Sequence, residues 1–360
     1  MTTPSPLDCD TMVAMATSPA LISALAVCDL CCIVAAPLLI YWLVRIWKMK
    51  LMHYNTRLLV CFHIACLLVH VLGRSVLHTT DLVVYLTPFK SGCDILHTRI
   101  QCFFLRLPYN IALISSNCSA IFVSIERLVA TFNIRNYEGR FRNVGYCLLL
   151  LQVFMSSCLL SVIYSRTRLD YSPLVYCQTT STSNVMWTIY PFGFLLLMQF
   201  LSSIVFEVAR RKNKGYSEAS ACSGTLTRRY QIEENIWTIR TLKVYVYTNG
   251  TFNATYLIAL SAVIFNNHLF SKPIYYMLIE VTNVQYLYAL TLPLVLWYNR
   301  KDVQNQIRYA VSRDMGMNYN RIFEQLRSQW DSSSVKGGRN SVFSAAATQF
   351  LNKKAAVSKS

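Results

Sequence analysis

The residues best placed to do chemistry are charged and polar side chains set inside or at the ends of long apolar runs. Glu126 and Arg127 close one such run, in Ser124-Ile125-Glu126-Arg127-Leu128-Val129. An ionisable pair at a membrane boundary is costly unless partnered, which makes it a functional candidate. The plainer reading is an arginine that snorkels to lipid headgroups. A partner is at hand in Arg229-Tyr230-Gln231-Ile232-Glu233-Glu234-Asn235, just before a later apolar run. Glu233 or Glu234 paired with Arg127 would hold two helices together, and release would let one swing out and open a cavity between them.

A second group of polar residues lies within the runs and could form a small-molecule pocket, the usual ligand site of a helix bundle. Tyr109 and Asn110 share one run, Asn249 and Asn253 sit at i, i+4 spacing in another, and Glu280, Asn283 and Tyr286 occupy the last. For any one of them, hydrogen bonding between helices is the plainer role. Glu280 stands apart: a buried carboxylate with no basic partner in view suits a cationic ligand, or is protonated.

Two cysteine pairings compete. Cys102 opens the run that ends at Arg127, long enough at about 1.5 Å per residue to cross a bilayer core, so its thiol lies on the opposite, oxidising side. Cys102 with Cys177 is favoured, because a bond at a helix end fixes the loop over the pocket; Cys93 is the alternative partner for Cys177, and Cys9 would take whichever is left. His63, His70 and His78 share one side of a run, but seven positions separate side chains by about 10 Å, too far to share an ion. No metal and no cofactor are expected. The acceptor patterns at Asn117, Asn249 and Asn253 fall inside apolar runs, out of reach of a glycosyltransferase.

The elements that must position these residues follow from composition. Of 360 residues 54% are hydrophobic and 14% charged, too apolar for an ordinary soluble surface. The net charge of +17 comes from short clusters between apolar runs and from the C-terminal tail, a pattern suited to anionic membrane lipids and not to nucleic acid. Cys28, Cys31, Cys32, Cys61, Cys66, Cys118, Cys147 and Cys158, eight of the thirteen cysteines, lie within apolar runs as small packing residues. A helix of about 20 apolar residues crosses the hydrocarbon core with every backbone polar group satisfied. Seven runs qualify, at about 23–47, 57–78, 101–132, 144–164, 185–209, 236–265 and 273–298. The fold class is an all-α, integral membrane seven-transmembrane helix bundle.

Basic residues set the expected orientation. Arg45, Lys48, Lys50, Arg57, Arg135, Arg140, Arg142 and the Arg210 to Arg229 cluster fill alternate loops, which are therefore cytoplasmic. No Lys or Arg precedes Arg45, so the first span reads as a retained signal anchor. The chain then divides into an extracellular N-terminus at 1–22, a seven-span domain at 23–298, a juxtamembrane amphipathic helix at 299–315 with apolar Val303, Ile307, Ala310 and Val311, and a disordered basic cytoplasmic tail at 316–360.

Several motifs in order resemble the nematode serpentine chemoreceptors of the alpha and alpha/beta classes. They are Glu126-Arg127-Leu128-Val129-Ala130-Thr131-Phe132 with Tyr137-Glu138, Cys93-Asp94-Ile95-Leu96, Cys102 to Asn110, and Arg229 to Asn235. The resemblance covers roughly Ala20 to Ala310. It implies a G-protein-coupled chemosensory receptor in the plasma membrane of sensory neurons, with a small-molecule ligand and a heterotrimeric G protein as partners, and leaves a receptor dimer open. Glu-Arg-Leu stands where rhodopsin-like receptors carry Asp-Arg-Tyr, and the sixth span lacks the usual Trp and Pro, so a tryptophan-switch mechanism does not carry over. A transporter or odorant-gated channel is the competing class; transporters usually show paired halves, which this sequence lacks. An enzyme would need a clustered His or Ser, Cys and His constellation, and none has suitable spacing.

Overall fold

A computed structural model describes residues 6–298 apart from 50–51, 135–136, 138–142, 166, 168, 179–184 and 224–225. The juxtamembrane helix and tail expected from 299 onward lie outside the described residues.

Among the described residues the α-helices with defined bounds run in chain order: α1 (Pro6–Ala16), α2 (Pro19–Trp47), α3 (Tyr54–Leu86), α4 (Arg99–Phe132), α5 (Val144–Tyr164), α6 (Val185–Ser223), α7 (Leu226–Phe265), α8 (Lys272–Thr282) and α9 (residues 285–298). Among the described residues, six stretches are long and apolar enough to cross a membrane: α2, α3, α4, α5, most of α6, and Lys272–Tyr298, which takes in α8 and α9. The remaining expected span, in α7, belongs to a helix of 40 residues. It falls short of the same apolarity because Thr248, Asn249, Thr251, Asn253 and Thr255 crowd its second half. Buried Asn249 and half-buried Gly250 sit against Gln199 of α6 and Asn253 is buried, whereas Thr251 and Thr255 are exposed.

Most helices outrun the expected spans. Ser18 accepts from the Leu21 N–H and starts α2 at Pro19, four residues before the expected Ser23; Thr98 does the same for Gln101 and starts α4 at Arg99. The N-terminal segment expected only as an extracellular extension holds α1, whose Met12, Met15 and Ala16 are buried in a cluster with Leu21, Leu25, Tyr85 and Tyr176. The last span is two helices: regular structure lapses at Asn283 and Val284. No Gly or Pro stands at that break, which is why the sequence reads as one continuous run.

Burial is arranged for lipid. Val27, Leu30, Ile33, Leu150 and Phe154 are exposed on the outside of α2 and α5, while His63, His70, Arg74, Glu126, Arg127, Gln152, Ser202 and Gln285 are buried. Apolar surface costs nothing against acyl chains, whereas each inward polar group must find a protein partner. Two apolar clusters fill the interior. One joins α2, α3, α4, α6, α7 and α9 around Leu39, Ile64, Val123, Phe206, Val246 and Tyr288; the other joins α4 to α8 around Ile114, Phe122, Leu260 and Ile279. At the Cys102 end a two-stranded antiparallel ladder pairs β1 (His97–Thr98) with β2 (Pro173–Leu174).

Close helix contact is paid for by small residues. A Cβ on Gly145 would meet the Asn55 Cα at 2.9 Å, with backbone that cannot move aside. Gly145→Val is therefore expected to force α5 off α3 and to destabilise the fold by roughly 1–3 kcal/mol; thermal unfolding of purified protein that left the midpoint unchanged would contradict this packing.

Candidate functional site

Two polar centres lie at opposite ends of α4. The first surrounds Glu280, at 4% exposure near the end of α8. Its carboxylate receives Arg74 Nη2 at 3.1 Å, Arg106 Nη2 at 3.0 Å and the Tyr176 hydroxyl at 2.9 Å, with His78 Nε2 at 3.7 Å. The expectation of a carboxylate without a basic partner is thus corrected: Glu280 has two. They were missed because Arg74 lies 206 positions away and Arg106 lies 174 away. The signal was an arginine inside each of two apolar runs, a residue rarely tolerated there without function.

Arg74 also closes the break in the last span. It donates to the Glu280 carbonyl at 2.6 Å and the Asn283 carbonyl at 2.8 Å, oxygens left by the lapse of helical hydrogen bonding, and its Nε donates to His78 at 2.8 Å. The Tyr286 ring stacks over the guanidinium at 4.9 Å. Arg106 donates to the Tyr109 hydroxyl at 2.5 Å. A Cβ on Gly73 would meet the Tyr109 Cβ at 3.1 Å, so glycine here lets α3 and α4 approach closely and brings both arginines to one carboxylate. Tyr176 is held in place by its neighbour: Cys177 is bonded to Cys102 at the start of α4, and Cys9 is bonded to Cys93. Burial first, then the adjoining carboxylate, holds the Tyr176 phenol well above its ordinary value, so it remains a proton donor.

Beside this centre a cleft of about 620 Å³, counted to its open mouth, is lined by residues of α4, α5, α6, α7 and α8. Tyr109, Asn110, Glu280 and Asn283 line it, as does Arg106. Asn249, Asn253 and Tyr286, the other expected pocket residues, do not. Asn249 donates to Gln199 on α6 at 3.2 Å, Asn253 is buried on α7, and Tyr286 covers Arg74.

The second centre surrounds Glu126 and Arg127, both wholly buried. Arg127 grips the adjacent carboxylate with Nε at 2.6 Å and Nη2 at 2.5 Å, the two-pronged geometry a guanidinium is built for. Thr56 of α3 donates to the same carboxylate at 3.0 Å and Tyr137 donates to it as well; burial keeps the Tyr137 phenol above its ordinary value. The remaining Nη1 donates to Asn235 of α7 at 3.1 Å. Asn235 in turn donates to Asn213 of α6 at 2.8 Å, and Asn213 to Thr131 of α4 at 2.7 Å. The partners expected for Arg127, Glu233 and Glu234, have side chains outside the described residues. Asn235, the next residue along, is the described link between Arg127 and α7.

The histidines have separate partners. His63 meets the Tyr288 hydroxyl at 2.9 Å, His70 the Tyr109 carbonyl at 3.3 Å and His78 takes the Arg74 bond. No group of three metal-binding side chains occurs among the described residues.

Apolar outer faces over long helices, with a polar cleft at one end of the bundle and a buried arginine network at the other, describe a multi-pass helical membrane protein. The chain belongs to the serpentine type 7TM GPCR receptor class ab chemoreceptor family, whose model matches residues 6–331. Serpentine receptor class alpha/beta-14 of Caenorhabditis elegans is 25% identical over 151 residues, 41% of this chain and 38% of that protein. Serpentine receptor class alpha-39 of the same organism is 26% identical over 179 residues, 49% of this chain and 46% of that protein. The chain spans less than half the length of these curated relatives.

Replacing Arg74 by Met would leave a buried carboxylate and two carbonyls short of a donor. The expected loss is about 3–5 kcal/mol of stability, read as a lowered unfolding midpoint in detergent; a variant as stable as the parent would remove Arg74 from its structural role.

Proposed function

We propose that this chain is a chemosensory receptor that binds a small-molecule cue in the cleft beside Glu280 and activates a heterotrimeric G protein at the Arg127 end. In this reading the Cys102 end is extracellular and the Arg127 end cytoplasmic. Supporting it are the basic loops on the Arg127 side and the disulfides on the other. Residues 1–22 then precede the seven-span domain on the outside, and residues 299–360 follow it in the cytosol. The setting is the plasma membrane of chemosensory neurons.

The observation that carries the proposal is the linkage of α4, α6 and α7 through Arg127, Asn235 and Asn213. Among the described residues its ties to α7 are a single charge-assisted bond and neutral amide bonds, each worth about 0.5–3 kcal/mol. A cue that favours an outward position of α7 by a few kcal/mol outweighs them, and the freed Arg127 then faces the partner.

In cells supplying several G-protein alpha subunits, Arg127→Ala is expected to abolish responses at normal surface expression. Equal responses from this variant and the parent would overturn coupling through Arg127. Asn235→Leu removes the tie to α7 and keeps the arginine, so basal signalling is expected to rise several-fold; an unchanged baseline would show that this tie does not hold the resting state.

A further inference from the structure

Beside the cleft two arginines are held by one carboxylate: Arg74 and Arg106 converge on Glu280, so two guanidinium groups share a single counter-charge. Neither nearby buried carboxylate hydrogen-bonds to an arginine among the described residues: Asp81 faces His97 at 3.4 Å, and Asp29 accepts from Ser75 and Thr79. Arg106, which lines the cleft, is 6% exposed, and its Nε–H has no partner among the described residues. A buried donor left unpaired in a cavity wall marks a bond that a bound molecule can complete. Asn283 lines the same cleft with an unpartnered Oδ1, an acceptor for a hydroxyl or a protonated group. The rest of the wall is apolar, with Leu113, Ile114, Leu160, Ile163, Phe192 and Leu260.

We propose that the cleft takes an amphipathic small molecule with a carboxylate head, which binds the Nε edge of Arg106 while its apolar body lies against Leu113, Leu160 and Phe192. This deepens the receptor reading above and rests on it for the role of the cleft. Charge decides the class of head. A carboxylate supplies the missing counter-charge and accepts the Nε–H, an alcohol does only the second, and an ammonium must take Glu280 from both arginines and leave them uncompensated. Glu280 thus acts as the resident counter-ion that keeps Arg106 in place until the ligand's own carboxylate arrives.

The test uses the full chain in nanodiscs of uncharged phosphatidylcholine, with decanoate, decanol and decylamine as probes and empty discs subtracted. Decanoate is expected to bind roughly 10- to 100-fold more tightly than decanol, the worth of one charge-assisted bond. Arg106→Gln should abolish that preference, with decanol, which loses one uncharged contact, weakened far less than decanoate. If Arg106→Gln yields no folded protein, Arg106→Lys serves: it keeps the charge, loses the Nε–H, and should lower the preference several-fold. Absence of decanoate binding, equal binding of the three probes, tightest binding of decylamine, or a preference that survives the arginine substitution would each overturn the assignment. No G protein takes part in this measurement. Its failure therefore leaves the proposed coupling standing, whereas lost coupling with intact decanoate selectivity would strike the coupling alone.

Discussion

The carboxylate of Glu280 is the point at which four separate parts of the chain hold one another. α3 reaches it through Arg74, α4 through Arg106, the loop after β2 through Tyr176, and α8 carries it. In a bundle surrounded by acyl chains, apolar packing alone does little to favour one helix arrangement over another, since lipid is as apolar as leucine. A buried charge is different. It tolerates only arrangements that keep its partners in reach, because the cost of stranding it is several kcal/mol. The disulfide at Cys102, the glycine contact at Gly73 and the break at Asn283 all serve that geometry, each by bringing one partner to the same place.

At the other end of α4 the same physics is spent differently. Adjacent helical positions point about 100° apart and do not normally face each other, yet Arg127 is long enough to turn back on Glu126. The charge is therefore neutralised within α4, with Thr56 and Tyr137 completing the carboxylate's shell. Among the described residues, what crosses from this centre to α6 and α7 is one bond from Nη1 and a chain of amides and a hydroxyl. Among the described residues, parting α7 from α4 strands no charge, since the Glu126–Arg127 pair stays whole. Parting α8 from α3 and α4 would strand Glu280. The bundle is thus clamped firmly where the cleft lies and loosely at the Arg127 end, the asymmetry a device that opens at one end requires.

Much of this was legible in the residues. Long apolar runs fixed the positions of the spans, because only hydrogen-bonded helices cross lipid, and the run at Val144–Tyr164 agrees with α5 at both ends. The flanks were not legible to the residue: caps such as Ser18 and Thr98 lie in polar sequence where apolarity gives no boundary. The site was half legible. Tyr109, Asn110, Glu280 and Asn283 could be named from polarity within apolar runs, and they line one cleft. Partnership could not be read the same way. Arg74 and Arg106 meet Glu280 only through the packing of α3 and α4 against α8, and spacing along the chain carries no trace of it. Asn249 was indistinguishable in sequence from a pocket residue because the helix it sits on has polar residues on more than one face.

At residues 283–284 the chain departs from what its own sequence favours. Nothing in Val281-Thr282-Asn283-Val284-Gln285 prevents a helix from continuing, and interrupting one inside a membrane leaves carbonyls that must be satisfied. Arg74 satisfies two of them, so a second costly group is buried to stabilise the first. An unbroken helix with an apolar residue at position 74 would avoid both costs. What it would lack is the polar floor of the cleft, since the break directs Asn283 there and the arginine anchors Glu280 beside it. Local departures of this kind persist where the arrangement they produce is used. An interruption that is costly in lipid and that shapes the wall of the cleft fits the ligand site proposed at the junction of α8 and α9.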